Sequence, residues 1–444
     1  MPENTNSLNA PTPEGRLAGL RDLVAGREAA AGRARRGEVP PRTREVNCHV
    51  HTTYSFSPYS PASAAERAHA AGLLAVGIMD HDSVAGAAEM REAGRILGIA
   101  TTTGVEFRVN ATGTAFEGRK VNNPDSLNIL YMMIHGLPAR SLPAVQRFLA
   151  PVQASRERRD RKMVERLNAL LAQRGIEPID FMADVYGQSQ AAEGGTITER
   201  HILFAAARKI VDRTGRGEPL VRFLRAGLRV ALPRRIEGHL RDEGNPFLLY
   251  DLLGLLKSSF IEEMYIQPDD VECGPVVDAV RFAESVGGIP CYGYLGDVTD
   301  SPTGDKKAES FEDGFLDELF VEVTRLGFRA IAYMPPRNTL AQLVRVQSLC
   351  AAHGLMEISG VDINGPRQSF NCPELLRSEF SHLLGATWAL IAHENLADAD
   401  ERRGLFSPDD PLADRPLAER LAAYAEIGLE SAGPGRPTAA TPGT

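Results

Sequence analysis

One pattern constrains the fold more than any other: short apolar runs recur along the chain, and most are followed by a stretch with helical spacing. The runs are VNCHV, AVGIM, ATTTGVEF, NILYMMI, IPCYGYL, FRAIAYM, LMEIS and TWALIA. Runs of this length read as buried strands, and strands alternating with helices predict a parallel α/β fold. PASAAERAHAAG at 61–72 is one of the helices, with proline near its start and glycine after its end. From about 140 to 270 the alternation stops, and RRDRKMVERLNALLAQRG, ITERHILFAAARKIV and NPFLLYDLLGLLKSSF all carry helical spacing. The expected organisation is a barrel built from 45–140 and 271–430 and interrupted by a helical insertion at 141–270. Residues 1–44 and the tail 431–444 hold few large apolar side chains, so a flexible N-terminal segment and a disordered tail are expected.

Composition narrows the function classes. A chain of 444 residues with 43% hydrophobic and 24% charged residues buries one or two sizeable cores, which excludes a disordered or fibrous protein. A formal charge of −9 gives no field for stable binding of duplex nucleic acid. No apolar run reaches the ~18 residues of a membrane span, and MPENTNSLNAPTPEG lacks the basic start and apolar stretch of a secretion signal. A cytoplasmic protein with no membrane partner is expected. The five cysteines show no CxxC spacing and read as reduced core residues.

The chemistry gathers where the runs end. Of ten histidines, His49, His51, His81, His135 and His393 fall at such ends. Acidic residues share the pattern: Asp80 and Asp82 flank His81, Glu106 sits in GVEF, and Asp362 follows LMEIS. In a parallel barrel the C-terminal strand ends converge on one mouth. Two histidines two apart on a strand share a face and can bind one ion. Imidazole with carboxylate suits Zn, Mn or Fe better than Mg or Ca.

NCHVHTTYSFSPYSP, AVGIMDHDSVAGAAEM and GIATTTGVEFRV, in that order, resemble the opening motifs of the PHP (polymerase and histidinol phosphatase) family of metal-dependent phosphoesterases. The resemblance runs from about 45 to 400, and RRDRKMVERL and TERHIL resemble the insertion of the nucleotide-directed PHP phosphatases. It implies a distorted (β/α)7 TIM-like barrel. It also implies metal ligands at His49, His51, Glu106 and Asp362 for one ion, Glu106 with His135 for part of a second, and His81 for a third. Phe56, Tyr294 and Asn364 stand where the family has further ligands, so one to two ions per chain are expected.

Other residues have two readings each. Asp80 and Asp82 are candidate catalytic groups, one orienting an imidazole and one acting as base; Asp82 can equally cap the helix that follows. Arg367 is a candidate phosphate clamp or a surface ion pair. Arg200 and His201 are candidate substrate contacts. The basic run Arg156–Lys162 is a solvated helix face or an anion-binding wall, and His393 is a substitute ligand or a core histidine. The combined reading is a metal-dependent hydrolase, a phosphoesterase or phosphatase acting on a small phosphorylated metabolite or nucleotide through a metal-activated water. Hydrolysis of C–N or C–O bonds at one metal, and a non-catalytic ligand-binding protein, are the alternatives. Oligomeric state is not legible.

Overall fold

The computed structural model describes residues 7–33, 43–123, 125–298 and 310–431. Its strands are β1 Val46–Val50, β2 Ala75–His81, β3 Ala100–Asn110, β4 Ile129–His135, β5 Ile289–Gly293, β6 Ala330–Tyr333 and β7 Met356–Ser359. They form one sheet in sequence order. The sheet curls shut where Val50 bridges Ile363 in parallel, with His51 N donating to Ile363 O at 2.9 Å and Ile363 N to His49 O at 3.1 Å. The result is a TIM-like α/β barrel.

Two expectations need correction. The sheet is not all parallel, because β4 runs antiparallel to both β3 and β5. TWALIA is not a strand either; it lies inside a helix, His382–Ala399, that is buried on nearly every side. A helix buried all round loses its polar stripe, so its periodicity cannot be told from that of a buried strand.

The helices are α1 Pro13–Arg33, α2 Pro61–Ala70, α3 Ala87–Leu97, α4 Leu142–Ala172, α5 Glu199–Thr214, α6 Glu218–Arg222, α7 Arg234–Arg241, α8 Leu248–Met264, α9 Val276–Ser285, α10 Leu316–Leu326, α11 Leu340–His353, α12 His382–Ala399 and α13 Leu417–Ser431. Local chemistry sets several ends. Ser60 caps α2 by accepting from Ser63 N, with Pro61 in the first turn, and Thr339 with Gln342 forms a capping box on α11.

Cys48, Met79, Met133, Cys291, Ala332 and Ile358, from six different strands, meet Ala389, Leu390 and Ala392 of α12 in one cluster that fills the barrel. Phe107, Val109, Leu130, Met132 and Ile134 join a second cluster with Val145 and Leu149 of α4. Helices α4 to α8 gather a core of their own around Met163, Leu167, Ile202, Leu203, Leu252 and Leu256, and Phe56 from the loop after β1 is part of it. Helix α4, with 31 residues, is about 46 Å long. Because β4 is reversed, α4 starts at the N-terminal end of the neighbouring strands and climbs the barrel wall to the other end.

Residues 7–33 of the N-terminal segment are described, and 13–33 form α1. Arg16 of α1 is buried, donating to Glu89 of α3 through Nε at 2.9 Å and Nη2 at 2.6 Å. A charged anchor of this kind leaves no apolar signature in the sequence. Residues from 432 onward lie outside the described residues.

Candidate metal centre

His49 and His51 end β1, His81 ends β2, Glu106 lies in β3 opposite His81, and Asp362 follows β7. These ends converge. His51 Nε2 lies 3.2 Å from His49 Nε2, 3.2 Å from Asp362 Oδ1 and 3.8 Å from Glu106 Oε2. His49 Nε2 is also 3.8 Å from Glu106 Oε2, and His81 Nδ1 is 3.1 Å from it. The His81 ring stacks on His51 with centroids 4.5 Å apart. Among the described residues, His49, His51 and Glu106 form a compact set of possible metal donors.

The donor set suits a divalent ion. Donors held about 2.0–2.2 Å from one centre stand about 3.3–3.6 Å apart, and the separations of 3.2 and 3.8 Å here bracket that range. Neutral imidazole is the ligating form. Burial, helped by the neighbouring His51, pulls His49 down to about 4. Burial, with His51 and Arg156 nearby, holds His81 well below its ordinary value. For His51 burial is outweighed by the hydrogen bond and charge of Asp362, with Glu106 and Asp80 adding to it, and its value rises. Asp362 is held well below the carboxylate range by His51, His49 and His81 against the opposing effect of burial.

Asp80 and Asp82 lie beside this set but are already engaged. Asp80 accepts from Thr52 N, Thr52 Oγ1 and Ser55 Oγ, each at 2.6 Å. Ser55 Oγ in turn lies 3.5 Å from His51 Nδ1. Asp80 therefore orients His51 through a hydroxyl, and its oxygens are occupied rather than poised as a base. Asp82 does not cap α3, whose N-cap is Gly86. It pairs with Arg156 of α4 at 2.5 Å.

His135 is not among these donors. Ile134 sits opposite Val105, so the reversed β4 carries His135 past Glu106 toward the start of β3. There it is buried with neither ring nitrogen hydrogen-bonded, and burial, with His49 nearby, lowers it to about 3. Reversal brings Tyr131 to the mouth instead, its ring 5.9 Å from that of His81. Sequence reasoning missed Tyr131 by assuming a parallel β4; the alternation Tyr131, Met133, His135 places all three on one face but does not tell which end reaches the mouth. His393 is a core histidine, accepting from Leu405 N at 2.9 Å and bonded to Gly287 O at 2.9 Å. Tyr294 donates to Asp313, and Asn364 donates to Asp362 Oδ1 at 2.9 Å.

The insertion forms the opposite wall. Arg156 and Arg159 of the basic run are buried and paired, so neither reading of that run holds for them: Arg156 meets Asp82 and Glu199, and Arg159 meets Glu272. Arg108 also binds Glu272, and Lys257 lies 3.3 Å from Glu199. His201 packs edge-on to Phe56 at 4.9 Å and caps α5 by accepting from Thr198 N at 3.1 Å. Arg367 does not face the donor set freely: its Nε and Nη2 donate to Asp251 of α8 at 2.7 and 2.8 Å.

Arg200 differs from the rest. Its guanidinium lies over the Phe56 ring at 5.3 Å, Nη2 donates to Asn364 O at a long 3.4 Å, and Nε is buried without a hydrogen-bond partner. Among the described residues it has no ion-pair partner.

Beside this geometry stands the match of the chain to the PHP domain over residues 47–214. Residues 47–214 are thus similar to a PHP domain. A 5'-3' exoribonuclease of Haemophilus influenzae is 35% identical over 80 residues, which is 18% of this chain and 27% of that protein. The chain thus matches about a quarter of that relative's length. Two solved structures are similar. One, from Bifidobacterium adolescentis and assigned as a metal-dependent phosphoesterase, is 22% identical over 76% of this chain and 93% of the other, with a TM-score of 0.48. The other, an amidohydrolase from Chromobacterium violaceum with bound sulfate and no metal, is 19% identical over 77% and 96%, also with a TM-score of 0.48. No helix among the described residues is long and apolar enough to cross a membrane.

Proposed function

We propose that this chain is a metal-dependent phosphoesterase acting on a small phosphorylated metabolite or nucleotide. One observation carries the reading. Four donors, His49, His51, Glu106 and Asp362, meet in a partly buried cluster, and beside it stands Arg200, a cation with no ion-pair partner among the described residues. Like donors crowded together are costly without a cation, and a partly buried guanidinium is costly without an anion. A metal and an anionic substrate together relieve both.

In this reading His49, His51, Glu106 and Asp362 hold the ion and His81 completes the shell. A bound metal supplies a water ionised near neutrality and neutralises phosphoryl charge. Asp80 fixes the His51 ring through Ser55. Arg200 binds a non-bridging phosphoryl oxygen through Nε and Nη. Arg367 steadies the loop after β7 against α8.

The test is a metal count on reconstituted protein followed by a panel of phosphate monoesters, uncharged esters and amides. The expected outcome is one to two ions and phosphate release that falls at least about tenfold in Arg200→Ala with metal content unchanged. Turnover of an uncharged amide or ester with no phosphate release would replace this reading by mononuclear C–N or C–O hydrolysis. Metal binding without turnover of any class would favour a ligand-binding protein.

A further inference from the structure

Glu106 and Arg108 lie two apart on β3 and share a face, and in the antiparallel pairing with β4 they stand opposite Met133 and Tyr131. Met133 belongs to the cluster that fills the barrel. Tyr131 is therefore carried about 7 Å further toward the mouth on the same face. Its ring lies 5.9 Å from that of His81, whose Nδ1 is 3.1 Å from Glu106 Oε2.

The peptide of Tyr131 is held on both sides. Buried Asn122 accepts from Tyr131 N at 2.9 Å through Oδ1, and its Nδ2 donates to Tyr131 O at 2.9 Å and to Gly293 O at 2.7 Å. A side-chain amide spent on one residue and on the adjoining strand fixes where that ring stands. The hydroxyl is left over. Tyr292 of β5 and Tyr333 of β6 donate to Glu312 and Glu357, and Arg108 donates to Tyr265 and Glu272. Tyr131 Oη makes no hydrogen bond among the described residues, and the residue is only partly buried.

The donor set thus has a different group on each flank. Arg200 reaches it from the Asp362 side through the Asn364 carbonyl, and Tyr131 stands on the His81 side. A guanidinium matches the charged non-bridging oxygens of a phosphoryl group. A departing ester oxygen takes up a hydrogen instead, which a phenol O–H can supply.

We propose that Tyr131 is a catalytic residue whose hydroxyl gives its hydrogen to the ester oxygen as the phosphorus–oxygen bond breaks. Hydrolysis adds the oxygen and one hydrogen of water to phosphorus, and the second hydrogen of that water restores the phenol. One ester and one water are consumed, and one alcohol and one phosphate are formed. The proposal rests on the phosphoesterase reading.

The experiment compares metal-loaded, full-length Tyr131→Phe with the unaltered protein on two esters. Ribose 5-phosphate releases an alcohol, and 4-nitrophenyl phosphate releases a nitrophenolate that departs without a hydrogen. Phenylalanine keeps the ring against His81 and removes only the hydroxyl. The expected result is a fall in kcat of at least about tenfold on ribose 5-phosphate, with little change on the nitrophenyl ester and unchanged metal content. A merely structural role would not separate the two esters. Equal losses on both, or none on either, overturn the proposal and leave the phosphoesterase reading standing. No phosphate release from either ester by the unaltered protein overturns both. Should Tyr131→Phe prove misfolded, the unaltered protein decides: similar kcat on the two esters supports the hydroxyl's role, and far faster turnover of the nitrophenyl ester overturns it.

Discussion

The barrel mouth and the seam beneath the insertion are both dense in ionisable groups, and they are organised in opposite ways. At the seam, Arg108, Arg156, Arg159 and Lys257 meet Asp82, Glu199 and Glu272, so that each cation has a carboxylate. At the mouth, three imidazoles and two carboxylates face one another with no Lys or Arg among them. Charges that satisfy each other are architecture. Imidazoles and carboxylates that crowd at one mouth are instead a set of possible metal donors. Arg200 departs from that pattern, with no ion-pair partner among the described residues, and it reaches the loop that carries Asp362 through the Asn364 carbonyl.

The sharpest way to break this contrast is at Glu106. Glu106→Ala and His49→Ala should each remove detectable turnover and lower metal content, because each deletes a donor, while thermal stability in chelator falls little. A folded Glu106→Ala protein with full turnover would sink the assignment. Arg156→Ala should do the reverse. It leaves Asp82 buried without its cation, a defect of about 3–5 kcal/mol, so denaturant unfolding should show a large loss of stability before any specific effect on metal content.

Ser55→Ala tests the link between Asp80 and His51. Outer contacts of this kind are worth about 10–100-fold in metal affinity, and a chelator competition titration should read a loss in that range with the fold intact. An unchanged affinity would make Asp80 a loop organiser only.

Glu394 supplies a third case, a buried acid with no ion pair among the described residues. It accepts from Thr102 and Thr103, and burial lifts it to about 8 against those two bonds. Its folded value lies above its unfolded one. Its contribution is therefore fully present below about pH 4.3 and is lost as pH rises toward 8. Glu394→Gln should flatten that decline by up to about 1.4 kcal/mol per pH unit; identical stability profiles for the two proteins would refute the assignment. The smallest effect is expected at Arg367, which is 42% exposed on its side chain. Arg367→Ala should cost about 1 kcal/mol or less and lower turnover less than Arg200→Ala; a larger effect on turnover would return Arg367 to substrate contact.

Much of this was legible in the sequence for identifiable reasons. Seven of the eight apolar runs contain the strands, because a strand buried on both faces writes itself as a continuous apolar run. His49, His51, His81, Glu106 and Asp362 could be read because strand ends in such a fold point to one mouth. What failed depended on direction or on partners distant in sequence. His135 was misplaced because no local signal announces that β4 is reversed. The pairings Arg156–Asp82 and Arg367–Asp251 join residues 74 and 116 positions apart, and nothing in a linear pattern tells a paired arginine from a free one.

The reversal of β4 also bears on how the molecule is assembled. Ile134 must pair with Pro290, so the two halves of the barrel are joined across roughly 150 residues of intervening chain, a separation that slows the search for the native state. On the ribosome β1 to β4 emerge as an open half-barrel long before β5 exists to cover the exposed edge of β4. The insertion, with a core of its own, can condense in that interval and draw its two ends together. Its helices would then act as a splint during synthesis, shortening the distance over which the barrel has to find its missing half.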